Sequence, residues 1–240
     1  MKPRIVFTLF ALAATTLAGC TRSMDYEYHP NTYTVTTPHK ASIGVVRLED
    51  KRSWVEGDNE KSQSYIMSAG LWKFGLTEKD KDYTPVGTII RDILIEEMTA
   101  DGLKAKPVDQ TQGESVADAA RKNQVDYVMT GDVQAFEVMN ESGWVTIDSR
   151  RQVNINLSLY NAAGQLVDGP NNYANNAIMN EGMGVMHSTN VDKLFNEVLK
   201  PVMKRVIERV QTRVAGVTSL KVNVAINGTV YSHTYNMASL

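Results

Sequence analysis

The segment "RRQVNINLSLYNAAGQLVDG", Arg150 to Gly169, decides the fold class. Val153, Ile155, Leu157 and Leu159 alternate with Gln152, Asn154, Asn156 and Ser158. Successive side chains of a strand point to opposite faces, so this pattern places one face on a core and the other in water. Such a half-buried strand belongs to an antiparallel neighbourhood, because strands of all-parallel sheets are apolar on both faces. "NAAG" (161–164) and "NESG" (140–143) are turn material on either side. "NNYANNAIMN" (171–180) is then expected to return along the central strand.

Upstream the periodicity is mixed. "ASIGVVRLED" (41–50) carries a short apolar strand at Ile43, Val45, Val46 and Leu48. Pro85 suits the first turn of a helix, and Ile89, Ile90, Ile93, Leu94, Glu97 and Met98 follow on one face until Gly102 stops it. Glu96 and Glu97 are expected on the solvated side. "LKAKPV" (103–108), "ESVADAARKNQ" (114–124) and "VDYVMTGDVQAFEV" (125–138) predict strand, short helix and strand. Asp132 in the last of these is either a buried charge paired with Arg150 or Arg151, or a solvent-facing edge residue.

Downstream, Asn190 should cap a long helix striped by Leu194, Phe195, Val198, Leu199, Val202, Val206 and Val210, with Pro201 bending it. Asn227-Gly228 between two alternating runs predicts a hairpin. The expected fold is therefore α+β, an α/β two-layer arrangement. It comprises a mixed, largely antiparallel sheet packed by two main helices and one short helix, with a C-terminal β-hairpin.

The chain opens "MKPRIVFTLFALAATTLAGC". Lys2 and Arg4 form a positive end, an apolar run follows, and small residues precede the single cysteine, Cys20. This is the layout of an export signal. The apolar run is too short to cross a bilayer, which takes about 20 residues. Leu17-Ala18-Gly19-Cys20 resembles the lipobox of bacterial lipoproteins, which implies diacylglycerol on the Cys20 sulfur, cleavage before it and acylation of the new amine. On that resemblance Cys20 is a lipid anchor, palmitate-bearing, rather than a nucleophile or half of a disulfide. Thr21 stands where an aspartate would signal inner-membrane retention. The expected address is the outer membrane, lipid-anchored at its periplasmic face.

Residues 1–19 are then a signal peptide, residues 20–40 the acylated cysteine and a tether, residues 41–216 the α/β domain and residues 217–240 a C-terminal hairpin. "TYTVTT" (32–37) alternates well enough to add as an edge strand instead. Cleavage removes two of the 25 basic residues and none of the 27 acidic ones, leaving the remainder more acidic. No basic tract of the kind nucleic acid demands is present in the sequence.

A strand ending near an acidic residue and Arg52, the "GLWKFG" segment (70–75), "EEMTADGLKAK" (96–106), "DYVMTGDVQAFEV" (126–138) and the alternating strand together resemble the YajG-type bacterial lipoproteins, and more loosely the auxiliary lipoproteins of ABC-type transport systems. The likeness spans roughly residues 41–214. It implies no catalytic motif and no cofactor.

The chemistry-bearing residues are sparse. His29, His39, His187 and His233 lack ligand spacing, so no metal site is expected. "GWVTIDSRRQ" (143–152) lacks a nucleophile elbow around Ser149, and "GLWKFG" lacks a phosphate-loop Lys-Ser/Thr pair. The long connection from Asp50 to Thr84 holds "YIMSAGLWKFG" (65–75), outside any clear helix or strand. There Leu71, Trp72 and Phe74 either plug the end of the core or anchor a partner. "NEGMGVMHS" (180–188) is likewise glycine-broken and methionine-rich.

The sequence thus predicts a non-enzymatic structural or assembly factor of the cell envelope, touching the membrane through its lipid and a protein through its domain. The alternative is a lipid- or small-molecule-handling auxiliary of an envelope transport system, with an apolar groove between long helix and sheet. Such a groove would expose Leu194, Val198 or Val202. A hydrolase is a third reading, and it requires acid, base and nucleophile in one cleft.

Overall fold

The computed structural model describes residues 21–33, 41–55, 59–69, 72–77, 83–142, 146–182, 191–214, 219–226 and 229–236. The signal sequence, Cys20, Leu71, Asn190 and residues 183–188 of the methionine-rich stretch lie outside them.

The central sheet is built from β2 (Ser42–Val46), β3 (Glu49–Asp50), β6 (Lys104–Val108), β7 (Tyr127–Ser142), β8 (Thr146–Asn161) and β9 (Leu166–Gly182). Its order is β6-β2-β7-β8-β9, with β3 also on β7. The β6-β2-β7 half is parallel and the β7-β8-β9 half antiparallel. The chain is α+β, as the alternation of β8 requires. Val153, Ile155, Leu157 and Leu159 are buried in one core with Ile90, Leu94, Leu194 and Val198.

Two helices cover that core face. The first, α2 (Val86–Ala100), follows Pro85 and ends where Gly102 takes φ 85° and the Leu103 N–H donates back to the Met98 carbonyl at 2.9 Å. Its Gly87 is a close-approach position: a Cβ there would fall on the Leu48 carbonyl oxygen. The second, α4 (residues 191–214), is π-helical over Leu194–Leu199 and α-helical over Lys200–Val214. The wide π stretch lies directly before Pro201, the residue that lacks an N–H for the regular ladder, and the helix continues through it.

The short helix α3 (Val116–Asn123), capped by the Ser115 hydroxyl, occupies the opposite face. Its Ala120 packs with Val125 and Val128 beside Val46, while Val45 and Met129, the next residues along those strands, belong to the main core. The short helix thus covers this edge of the sheet from the face opposite the two main helices. The cause is connectivity: β6 and β7 flank β2, and the connection between them passes over the free face.

A smaller sheet, order β1-β5-β4, comprises β1 (Thr21–Asp25), β4 (Tyr65–Ala69) and β5 (Trp72–Thr77). The segment from Tyr65 to Gly75, expected to be irregular, is thus mostly an antiparallel hairpin, preceded by a single helical turn α1 (Glu60–Gln63). Its glycines and mixed polarity hide the strand period. Arg52 joins the two sheets. Its guanidinium is bidentate to Asp50 at 2.6 and 2.8 Å and donates to the carbonyls of Gln63 (2.8 Å), Phe136 (3.2 Å) and Tyr65. At the other end of the chain β10 (Ser219–Ile226) and β11 (Thr229–Asn236) pair antiparallel with Ile226 opposite Thr229, while Asn227 and Gly228 themselves lie outside the described residues.

Candidate functional site

Three places were candidates from sequence: the chain's exit toward Cys20, the aromatic segment around Trp72, and the helix–sheet interface.

The first is the most elaborated. Residues 21–33, expected to run as a tether, are folded onto the domain. β1 pairs parallel to β5 from Thr21 opposite Lys73 to Asp25 opposite Thr77. Beyond it Tyr26 stacks on Phe195 at 4.5 Å between centroids, and Tyr28 meets the same ring edge-on. Tyr28 and Tyr33 donate their hydroxyls to Glu97, and the Asn31 backbone N–H and side-chain amide donate to Glu97 Oε1 at 2.9 and 3.0 Å. Asn31 also reaches the Lys200 carbonyl, while Asn196 accepts from the His29 N–H and donates to the Glu27 carbonyl.

Residues 26–33 are consequently a strap across α2 and α4. Glu97, expected on the solvated face, is fully buried beneath it, and only Glu96 is exposed. Burial, reinforced by the Glu97 hydrogen bonds, pushes both phenols well above their ordinary value of 10.0. Helical periodicity sets Glu97 in phase with Ile90, Ile93 and Leu94, but nothing in it marks the segment 64 positions away that covers the carboxylate. The density of tyrosines in "DYEYHPNTY" (25–33) was the available signal, since flexible linkers are poor in aromatics.

At the second place Phe74 is 5% exposed and belongs to the main core with Ile66, Met67 and Leu76. It plugs the core. Trp72 opens β5 opposite Ala69, and Leu71 lies outside the described residues. Trp54, the other tryptophan of the long connection, sits under the Arg52 guanidinium at 5.4 Å.

The third place is closed. Leu194, Val198 and Val202 have no exposure, so the interface between α4 and the sheet holds none of the groove that the transport-auxiliary reading requires.

Instead, a polar cleft of about 340 Å³ lies on the other sheet face, beyond the cover of α3. It sits past the carboxyl ends of β2 and β6, where open α/β sheets place their ligands. Asp132, at its centre, accepts from Asn156 Nδ2 at 2.8 Å, Gln134 Nε2 at 2.7 Å and Lys51 Nζ at 3.4 Å. Neither arginine proposed for it is near in register, because Arg150 stands opposite Met139 and Arg151 opposite Val138. Lys51 also bridges to Glu49 at 3.0 Å, and these carboxylates hold its ammonium above the usual lysine value. Asn172 donates to both Asn154 and Asn156, extending the amide ladder across β7, β8 and β9. The cleft offers donors and acceptors for a polar group, and its lining includes no histidine or cysteine. Among the described residues no three histidine, cysteine, aspartate or glutamate side chains gather as metal ligands would. None of their helices is long and apolar enough to cross a membrane.

No protein-family model matches the chain, and no curated protein matches it. Among solved structures it is similar to protein XCC0632 of Xanthomonas campestris, of the family DUF330, at 12% identity with a TM-score of 0.45, covering 82% of this chain and 96% of that one. It is similar to the hypothetical protein CT253 of Chlamydia trachomatis at 7% identity and a TM-score of 0.44, over 74% of this chain and 99% of that one. Lipoprotein GNA1162 of Neisseria meningitidis aligns at 13% identity and a TM-score of 0.30, over 73% and 99% of the respective chains. The resemblance to YajG-type lipoproteins rests on the sequence segments that carry it.

Proposed function

We propose that the protein is an outer-membrane lipoprotein, acylated at Cys20, whose domain acts from the periplasmic face as a non-enzymatic structural or assembly factor. The observation that carries this reading is where the chain enters the fold. Thr21, the residue after the lipobox cysteine, already pairs with Lys73 in β5, and residues 26–33 are strapped to α2 and α4. A lipid on Cys20 therefore ties the body of the domain to the bilayer, with no free linker between them. Each acyl chain contributes about 0.8 kcal/mol per buried methylene, so several chains make the attachment effectively permanent.

The uncovered face of β7, β8 and β9 is the surface such a protein presents to an envelope partner. Its amides are already cross-linked to one another, so docking on them orders little that is loose.

Metabolic labelling with a fatty-acid analogue tests the anchor. The wild type is expected to label and to fractionate with the outer membrane, whereas Cys20→Ser neither labels nor sediments with it. An unlabelled wild type overturns the reading. Site-specific photocrosslinking tests the docking face: Asn154 and Asn172 positions should trap one recurrent species in intact envelopes that the Glu96 position does not. Equal trapping at all three removes the face from the proposal.

A further inference from the structure

The strand order β6-β2-β7 opens a crevice on the sheet face that the two main helices leave uncovered. β2 leads through α2 to β6 on one side of it, and β6 leads through α3 to β7 on the other, with α2 and α3 on opposite faces. Connections that leave a parallel sheet in this way diverge between β2 and β7, and open α/β sheets bind ligands at such a point, beyond the carboxyl ends of the strands. The cleft of about 340 Å³ lies there, a size at the small end of ligand pockets. Val46 and Arg47 line it where the chain leaves β2, and Gln110 where it leaves β6. β7 and β8 run on past those ends and contribute Thr130, Asp132, Asn156 and Ser158.

The hydrogen-bonding capacity left inside the cleft is of both kinds. Thr130 and Ser158 stand opposite each other, and their hydroxyls bond to no described residue. Asp132 Oδ1 accepts from Gln134 and Asn156, whereas Oδ2 meets only Lys51, at 3.4 Å. Gln110 donates its Nε2 to the Glu114 carbonyl and keeps its side-chain oxygen. Asn156 donates to Asp132 and accepts from Asn172 at 2.9 Å, so this wall is ordered before a ligand arrives. A ligand thus meets two acceptors, Asp132 Oδ2 and Gln110 Oε1, and two hydroxyls that donate or accept, with the exposed Arg47 guanidinium beside them.

That set selects by charge. An anion only accepts, and it would meet Asp132 and Glu49; an ammonium only donates, and it would meet Arg47 and Lys51. An alcohol does both through one oxygen. Val46 and Pro170 add apolar surface for C–H groups. We propose that the cleft binds a neutral sugar ring, either free or as one unit of a glycan chain. Asp132 Oδ2 and Gln110 Oε1 accept from its hydroxyls, and Thr130, Ser158 and Arg47 donate to them. The amide row of Asn154 and Asn172 runs on from the cleft and offers polar contacts to an adjoining unit. The site borders the face proposed for a protein partner, but it depends on neither that partner nor the lipid.

The test titrates the full chain, in a detergent without sugar headgroups, with glucose and N-acetylglucosamine, their β-linked tetramers and their uronates, followed by ligand-observed NMR. At least one neutral sugar should bind saturably. Its uronate, in which a carboxylate replaces the primary alcohol, should bind at least about fivefold more weakly. A tetramer that binds more tightly than its single ring assigns the site to a glycan chain, and equal affinity assigns it to a free sugar. Asp132→Asn and the double variant Thr130→Val/Ser158→Ala should each weaken binding by about tenfold or more, while Glu96→Gln on α2 leaves it unchanged. The double variant breaks no bond within the described residues, so it decides the matter if Asp132→Asn melts low. Absence of saturable binding by every neutral sugar, a uronate that binds as tightly as its parent, or unchanged affinity in the double variant overturns the site. Trapping of a protein at Asn154 and Asn172 without any sugar binding overturns it as well, and leaves the docking face standing.

Discussion

Tyr28 donates its phenolic hydrogen to Glu97, a fully buried carboxylate 69 positions away on α2. Tyr33 and Asn31 supply the other donors, so the charge is satisfied entirely by the strap. Replacing Glu97 by alanine strands four polar donors, and hydrogen bonds to charged groups each contribute roughly 1.5–3 kcal/mol. Glu97→Ala should therefore lower stability by at least about 3 kcal/mol in denaturant melts, and Glu97→Gln, which keeps one acceptor, by less. A Glu97→Ala melt within about 0.5 kcal/mol of wild type would show that the strap is not part of the cooperative unit.

The same contacts set an alkaline limit. Burial first, and then the Glu97 hydrogen bonds, raise the Tyr28 and Tyr33 phenols above 10.0. Below that pH both folded and unfolded chains keep the protons, and the contribution is present in full. Above it the unfolded chain releases them and the folded chain cannot, so stability falls as pH rises. The melting temperature should drop more steeply above pH 10 in wild type than in the double variant Tyr28→Phe/Tyr33→Phe. Parallel alkaline limbs would contradict the buried, Glu97-bound state of the two phenols.

Arg52 makes a different kind of demand. It is 3% exposed, paired with Asp50 and shared among the carbonyls of Gln63 in α1, Tyr65 in β4 and Phe136 in β7. Removing one partner of a buried ion pair costs about 3–5 kcal/mol, so Arg52→Ala should destabilise by that order. Arg52→Lys should recover little, because a single ammonium cannot reproduce the planar fork that reaches Asp50 and the carbonyls together. Full rescue by lysine would reduce the role of Arg52 to its charge.

The main sheet was legible because its signal is local. The alternation at Val153 to Leu159 and the stripe from Leu194 to Val210 each report their own buried face, and both faces meet in one core. What escaped is set by distant partners. Glu97 is buried because a segment from the other end of the domain folds over it. Arg151 continues the inward phase of Val153 and is buried in the sheet, which its charge argues against until the register is known. The hairpin from Tyr65 to Thr77 buries Ile66, Met67, Phe74 and Leu76 in the main core and is tied to it by Arg52, but its glycines and polar residues break up the strand period. The polar cleft around Asp132 assembles residues from five strands, which no local sequence pattern brings together. Leu71, Trp72 and Phe74 were recognised as a group, yet Phe74 enters the core while Trp72 opens β5 opposite Ala69 and Leu71 lies outside the described residues.

The last strand of the sheet gives an acid-side test. Asp168 on β9 receives a bidentate pair of bonds from Arg209 on α4, at 2.6 and 2.9 Å, with Arg213 at 3.4 Å and Asn171 also donating. The Arg209 hydrogen bonds hold its carboxyl below the ordinary 3.8. A carboxylate lowered in the folded state stabilises above the unfolded value, and its contribution is lost as pH falls through the folded one. Arg209 is 43% exposed, so water screens the pair and its contribution near neutrality is about 1 kcal/mol. Asp168→Asn should accordingly cost about 1 kcal/mol at pH 7 and progressively less below pH 4, with the two acid limbs converging. Because β9 is an edge strand fastened to α4 here and by the Arg205 bond to the Ala174 carbonyl, hydrogen exchange along β9 should quicken in Asp168→Asn before exchange in β8 does. Uniform acceleration in both strands would mean that β9 unfolds only with the whole domain.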